Sequence, residues 1–177
     1  MKAVRLAVIA TIALTAFAPL QAARQADKDA KDVADTITSF KNSDKELTRW
    51  FTTSYGYVVF PTIGKGAVGV GGANGNGRVY EKAAYIGDAR MTQVTVGIQL
   101  GGQSYSEVIF FENKEALDRF KDNRFEMTAG LSAVAAAEGA SKDAKYTSGV
   151  AVFTLAKKGL MAEASVGGQK FKFTPKK

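Results

Sequence analysis

The chain has neither cysteine nor histidine among its 177 residues. Without cysteine there are no disulfides, no thiolate metal sites, no cysteine nucleophile and no acylated N-terminal cysteine of the bacterial lipoprotein kind. Without histidine the commonest general base, the usual partner of a nucleophilic triad and the commonest zinc ligand are gone. Proline is scarce, with 3 residues at Pro19, Pro61 and Pro175, and no proline-rich or serine-rich linker divides the chain. A dense basic stripe is also missing. The formal net charge of +7 favours anionic partners such as phospholipid headgroups or phosphorylated sugars, and falls short of what a nucleic-acid binder carries. No cofactor and no metal site is expected.

What is present begins with the three parts of a secretory targeting signal: Lys2 and Arg5, an apolar run from Leu6 to Ala18, and small residues around Pro19, Gln21, Ala22 and Ala23. The apolar run is too short to span a bilayer as a helix, and no stop-transfer pattern follows, which argues against an uncleaved anchor. Cleavage is expected after Ala22, with Ala23 the weaker choice. Residues 1–22 are thus read as a signal peptide and the mature protein as periplasmic or secreted. Processing leaves 22 basic against 17 acidic residues. The remaining length of about 155 residues suits one domain with a substantial core.

Residues 23–54 read as a helical segment. From Asp27 to Phe40, the residues Ala30, Val33, Ala34, Ile37 and Phe40 recur at spacings of three and four, while the other face is densely charged. Asn42, Ser43 and Asp44 offer cap chemistry for a second helix through about Phe51. Residues 55–177 change texture to aromatics, β-branched residues and glycine. A strand over Tyr57 to Phe60 is expected to break at Pro61. Asn74-Gly75-Asn76-Gly77 suits a hairpin turn between strands Ala67–Ala73 and Arg78–Glu81. Further strands are predicted over Ala83–Met91, Val94–Leu100, Ser104–Phe111, Gly149–Ala156 and Leu160–Val166. Asn113 caps a helix over Lys114 to about Lys121 that buries Ala116, Leu117 and Phe120. For Phe125 to Ala133 a strand is preferred over a helix, because Gly130 and Gly139 weaken the latter. Paired glycines at Gly71-Gly72, Gly101-Gly102 and Gly167-Gly168 imply strong curvature. The fold class predicted is α+β: a strongly curved, mainly antiparallel β-sheet or partly closed barrel with N-terminal helices and one further helix.

The chemistry is thin. Most acidic residues, among them Asp27, Asp29, Asp32, Asp35, Asp118 and Asp122, fall on charged helix faces and read as solvated surface. Glu107 and Glu163 sit inside apolar strands, where each is expected to point outward from a half-exposed sheet. Gly64-Lys65-Gly66-Ala67-Val68-Gly69 has the G-x-G-x-x-G spacing of dinucleotide sites, yet the chain continues as strand and glycine turn, so a structural role is preferred. Lys41, Lys45 and Arg49, four residues apart and leading to Trp50 and Phe51, suit a bilayer interface. The same aromatics suit the core, docking a helix on the sheet, which is the preferred reading. Lys170, Lys172, Lys176 and Lys177 read as a solvated basic tail.

From Tyr55 to Phe173 the chain resembles the SYLF domain, also called the Ysc84-type actin-binding domain. The resemblance rests on Tyr57-Val58-Val59-Phe60-Pro61, then Lys65 and the glycine-rich stretch, the run from Gly97 through Gly101-Gly102-Gln103 to Ile109, and Ala116-Leu117 with Phe120. It implies a lipid-binding module. Eukaryotic members associate with phosphoinositide membranes through a basic amphipathic N-terminal segment, and the fungal prototype binds actin. Here that segment mixes Lys28, Lys31 and Lys41 with Asp27, Asp29, Asp32 and Asp35, so its charge largely cancels. In the periplasm of a Gram-negative bacterium neither actin nor phosphoinositide is expected.

The leading expectation is a non-enzymatic exported protein that binds anionic phospholipid or phosphorylated glycolipid, with Lys41, Lys45, Arg49 and Lys65 meeting phosphate and Trp50 or Phe51 inserting. The alternative is a cell-envelope protein-interaction or structural module with no lipid ligand. An enzyme using Glu107 or Glu163 ranks last.

Overall fold

The structure is a computed structural model that describes residues 5–66, 70–96, 103–123, 125, 127, 133–157 and 168–176. Helices α1 (Arg5–Ser43) and α2 (Leu47–Thr53) precede strands β1 (Gly56–Gly66), β2 (Val70–Glu81), β3 (Ala84–Val96) and β4 (Gln103–Phe111). Helix α3 (Lys114–Lys121) follows, then β5 (Val134–Ala135), β6 (Val150–Ala156) and β7 (Gln169–Pro175). The strands form one sheet in the order β5-β6-β4-β1-β2-β3-β7, antiparallel throughout except for the β5–β6 pair. Among the described residues no helix is long and apolar enough to cross a membrane.

Side chains alternate across a strand, so β1, β4 and β6 feed two cores. Val58, Phe60, Ile63, Val79, Met91, Ile109, Phe111 and Phe171 fill the concave side, closed by Leu117 and Phe120 of α3. On the convex side Tyr57, Val59, Val108, Phe110 and Phe153 pack beneath Val33, Phe40, Leu47, Trp50 and Phe51 of α1 and α2. The curvature expected from the glycine pairs is present. Edge strand β7 is separated from β4 by three strands in the sheet, yet Gln169 Nε2 donates to Glu107 Oε2 at 3.0 Å and Tyr105 Oη at 3.3 Å across the concavity. The sheet curls without closing, leaving β5 and β7 as edges.

Helix α3 and its cap are as the sequence indicates: Asn113 Oδ1 accepts from Ala116 N at 3.0 Å, and Ala116, Leu117 and Phe120 are buried. Strands β4 and β6 also lie where expected.

The Asn-Gly repeat does not form a turn. Asn74 to Gly77 lie inside β2, all four paired with β3 and Asn74 to Asn76 also with β1. The asparagines face solvent and the glycines face inward, where a Cβ on Gly75 would stand 2.8 Å from Ile63 Cγ1 and one on Gly77 2.5 Å from Val59 O. Glycine is there for close approach beneath a curled strand, not for positive φ. The tight hairpin turn is instead Lys82-Ala83, with φ of 49° and 66°, held by Lys82 N donating to Tyr55 O at 2.9 Å.

Nor does Pro61 end the first strand. β1 passes through it with a register shift, between Val59 and Thr62 against β2 and between Phe60 and Ile63 against β4, and the irregularity absorbs the missing N–H. The two strands expected on either side of Thr92 are one continuous β3, with residues 97–100 outside the described set. Of the strand expected from Phe125 to Ala133, Phe125 and Met127 are described outside any strand, although Met127 N donates to Gln169 O at 3.2 Å and Met127 O accepts from Gly168 N at 2.8 Å; the next described strand is Val134–Ala135. Residues 128–132 and the strand expected over 160–166 lie outside the described residues. The supposed basic tail is β7, with Lys170 opposite Thr92 and Lys172 opposite Arg90.

Helix α2 is docked through Asp44. Its carboxylate accepts from Glu46 N at 3.1 Å and from Ser141 N at 2.7 Å, while Trp50 Nε1 donates to Ser141 O at 3.3 Å. Burial alone would push the Asp44 carboxyl up. Hydrogen bonds from Ser141 and from the Glu46 and Gly139 amides outweigh it and hold the group below the usual carboxylate range. A depressed folded value means that the contribution is present above the unfolded value, about 4, and is lost as the pH falls through the folded value. Asp44→Ala is expected to cost about 1–3 kcal/mol at pH 7 and to flatten the loss of stability on acidification below pH ~4. Urea titrations read by the fluorescence of Trp50 check both; parallel pH profiles for the two proteins would count against the assignment.

Candidate functional site

The expected lipid-facing cluster is only partly assembled. Lys41, Lys45 and Arg49 do not share one helical face, because α1 ends at Ser43 and α2 starts at Leu47: Lys41 lies on α1, Lys45 in the turn and Arg49 on α2. Lys45 and Arg49 are exposed, whereas Lys41 is half-buried with Nζ 5.2 Å from the Phe51 ring centroid. Trp50 and Phe51 are 5% and 8% exposed. Their rings pack on Phe110, at 5.7 Å and 4.8 Å between centroids, so docking on the sheet removes both from any bilayer in this arrangement. Lys65 sits on β1 opposite Ala73 and Gln103, and its side chain lies outside the description. The Gly64-Lys65-Gly66 part of the motif is strand, residues 67–69 lie outside the described residues, and the next described element is β2 rather than the helix that a dinucleotide loop would open.

Glu107 does not face outward. It shares its strand face with Tyr105 and Ile109, is fully buried in the concavity, and accepts from Gln169. Burial first, and then the neighbouring Glu107 carboxylate, push the Tyr105 hydroxyl up, only partly offset by the Gln169 hydrogen bond. Glu163 lies outside the described residues. Among the described residues no group of acidic side chains is placed to hold a metal ion.

A second cationic surface escaped the sequence reading because it is made by strand pairing. On the convex side of β2, β3 and β7, beyond the helices, three cross-strand rows lie side by side: Asn74-Thr92-Lys170, Asn76-Arg90-Lys172 and Arg78-Asp88-Thr174. Arg90 and Lys172 are directly opposed, an arrangement that disfavours the sheet when like charges meet. Among the described residues neither has an acidic partner. The one carboxylate of the three rows is engaged: Asp88 Oδ1 accepts from Tyr85 Oη at 2.8 Å and lies 3.9 Å from Arg78 Nε. Farther along β3 Val94 is 75% exposed. The signal available beforehand was the alternation Lys170, Lys172, Thr174 against Phe171 and Phe173, which is a strand pattern.

This face continues under α1. Arg78 Nη2 donates to Ala26 O at 2.6 Å, and the helix and sheet enclose a cleft of about 520 Å3. Asp29 and Asp32 line it from α1, Thr62 from the β1 irregularity, and Arg78, Arg90 and Thr174 from the sheet. Near α2, Arg49 and Lys145 line a separate hollow together with Glu112, which offsets their charge.

Comparison with known proteins gives two findings. Residues 92–176 match the Ysc84 family, described as Las17-binding protein actin regulator, and so cover the end of β3 and the elements from β4 to β7. The chain is 30% identical over 141 residues to Beta cell expansion factor A of Aeromonas veronii, an alignment that covers 78% of this chain and 54% of that protein. It therefore spans about half the length of this relative. The β1 residues that contributed to the sequence resemblance lie before the family match and inside the fold that carries it. Over residues 92–176 the chain matches the Ysc84, or SYLF-domain, family, with Lys170 and Lys172 of the cationic face inside the matched segment and Arg90 just before it.

Proposed function

We propose that this chain is a non-enzymatic, exported protein that binds anionic lipid, either phospholipid or phosphorylated glycolipid. The observation that carries the reading is the opposition of Arg90 and Lys172, flanked by Lys170, all three exposed on the sheet face. Two cations kept face to face at a cost to the sheet are stabilised by an anionic partner. The neighbouring exposed Val94 adds an apolar contact at the same surface. Lys45 and Arg49, exposed beside α2, add charge to the encounter, and burial of Trp50 and Phe51 assigns adhesion to electrostatics rather than to aromatic insertion. The match is to a family of binding domains, which supports the non-enzymatic reading, and the apolar run from Leu6 to Ala18 behind Lys2 and Arg5 supports export. Export sets actin aside as a partner.

Cosedimentation with vesicles tests this. Binding to vesicles rich in anionic lipid is expected at low salt, with loss as salt shortens the screening length from about 30 Å at 0.01 M to about 8 Å at 0.15 M. Vesicles of neutral lipid alone are expected to leave the protein in the supernatant. Equal failure on both would remove the reading.

A further inference from the structure

The cleft under α1 has walls of opposite sign that do not neutralise each other. On the sheet side Arg78 is already committed to Ala26 O and lies against Asp88, which itself accepts from Tyr85. On the helix side Asp29 Oδ1 accepts from Gln25 Nε2 at 2.7 Å. That leaves Asp32 of α1 and Arg90 of β3. Both are exposed, both line the cleft, and among the described residues no hydrogen bond or ion pair joins either side chain to the other or to a third group. Lys172 stands directly across the strand pair from Arg90. Thr62 and Thr174 add neutral hydroxyls to the same lining, and Val33 and Pro61 an apolar patch.

A purely anionic ligand gains from Arg90 and Lys172 but is repelled by Asp32. A molecule with a cation a few bonds from its phosphate is favoured at both ends, and the volume of about 520 Å3 lies within the range of small-ligand sites. We propose that the cleft binds an aminoalkyl phosphate ester, the ammonium on Asp32 and the phosphate on Arg90, whose cross-strand neighbour Lys172 lies outside the lining and adds its charge from beside it. This rests on the lipid-binding reading for its acyl-bearing form, an amine-headed phospholipid, and names the headgroup that the surface prefers within an anionic membrane.

The full chain is titrated calorimetrically with phosphoethanolamine, inorganic phosphate and ethanolamine, beside Asp32→Asn and Arg90→Gln. In a parallel arm it is sedimented with anionic vesicles containing or lacking phosphatidylethanolamine. Both substitutions are at exposed positions, and unchanged fluorescence of Trp50 verifies the fold. Phosphoethanolamine is expected to bind at least ~10-fold more tightly than phosphate or ethanolamine, the gain from two charge contacts instead of one. Asp32→Asn should abolish that advantage and keep phosphate binding, whereas Arg90→Gln should weaken both phosphate compounds. If the ligand is a lipid, phosphatidylethanolamine tightens vesicle binding of the parent chain and not of Asp32→Asn; a preference confined to the soluble arm assigns the site to a free ester. The proposal is overturned if neither arm shows an amine preference that Asp32→Asn removes. Failure to bind any anionic vesicle, with an amine preference intact in solution, instead overturns the lipid reading.

Discussion

Gly77→Ala is expected to lower the unfolding free energy by about 3 kcal/mol, the upper end of the usual cost of overpacking. The added Cβ would stand 2.5 Å from Val59 O and 2.7 Å from Phe60 Cδ1. The first of these is a main-chain atom of β1, which is paired on both sides, by β2 and β4, and has no free direction in which to move. For a chain of this size each kcal/mol moves the melting temperature by roughly 2–4 °C, so a fall of about 6–12 °C should appear in a thermal melt followed by circular dichroism. Asn76→Ala, one residue away and facing solvent, is the control and should leave the melt within about 1–2 °C, as exposed substitutions usually do. A Gly77→Ala melt as mild as the control would mean that the glycines do not serve the curl of the sheet.

Glu107→Ala is expected to cost a similar amount, about 3 kcal/mol, from a fully buried cavity and the lost acceptor for Gln169. Glu107→Gln retains the volume and one acceptor oxygen, and should cost less than the alanine. Because Gln169 begins β7 while Glu107 is in the middle of β4, the bond ties the edge strand across the open side of the curl. The alanine variant should therefore lose hydrogen-exchange protection in β7 before β1 and β2. A uniform loss across the sheet would assign Glu107 to general core stability and not to the tie.

These two sites mark where sequence reading succeeds and where it stops. Short-range signals with a single physical outlet are legible: Asn113 three residues before Ala116 is a cap, and its helix follows. Glycine-rich strands with a strong bend were also visible as curvature. Asn74 to Gly77 misled because glycine answers two needs, positive φ in a turn and absence of a side chain under a close strand, and only the register of β1 against β2 tells them apart. Glu107 misled for a related reason. Alternation places it on the same face as Tyr105 and Ile109, but which face is core depends on Gln169, 62 positions away along the chain, arriving to donate to it. From local spacing the cationic surface reads as Lys41, Lys45 and Arg49 four residues apart and as a lysine tail. Its stronger version needs β3 and β7 side by side, a pairing between residues about 80 apart that no local period reports. Even the pair Trp50 and Phe51, correctly preferred as core, shows the limit: the aromatic content of α2 was legible, and its direction was settled by Phe110 and Ser141.

The most direct measurement is the partition of Arg90→Gln/Lys172→Gln onto anionic vesicles, compared with the parent chain and with Lys45→Gln/Arg49→Gln. A cation close to an anionic surface contributes about 1 kcal/mol, so neutralising the opposed pair should cost about 2 kcal/mol, or ~30-fold in partition. Relief of like-charge opposition should at the same time leave the melting temperature unchanged or raised. The account predicts this large loss for the β3–β7 pair and a smaller one for the pair at α2. Unaltered partition of the β3–β7 variant, with the loss falling on Lys45 and Arg49, would contradict it.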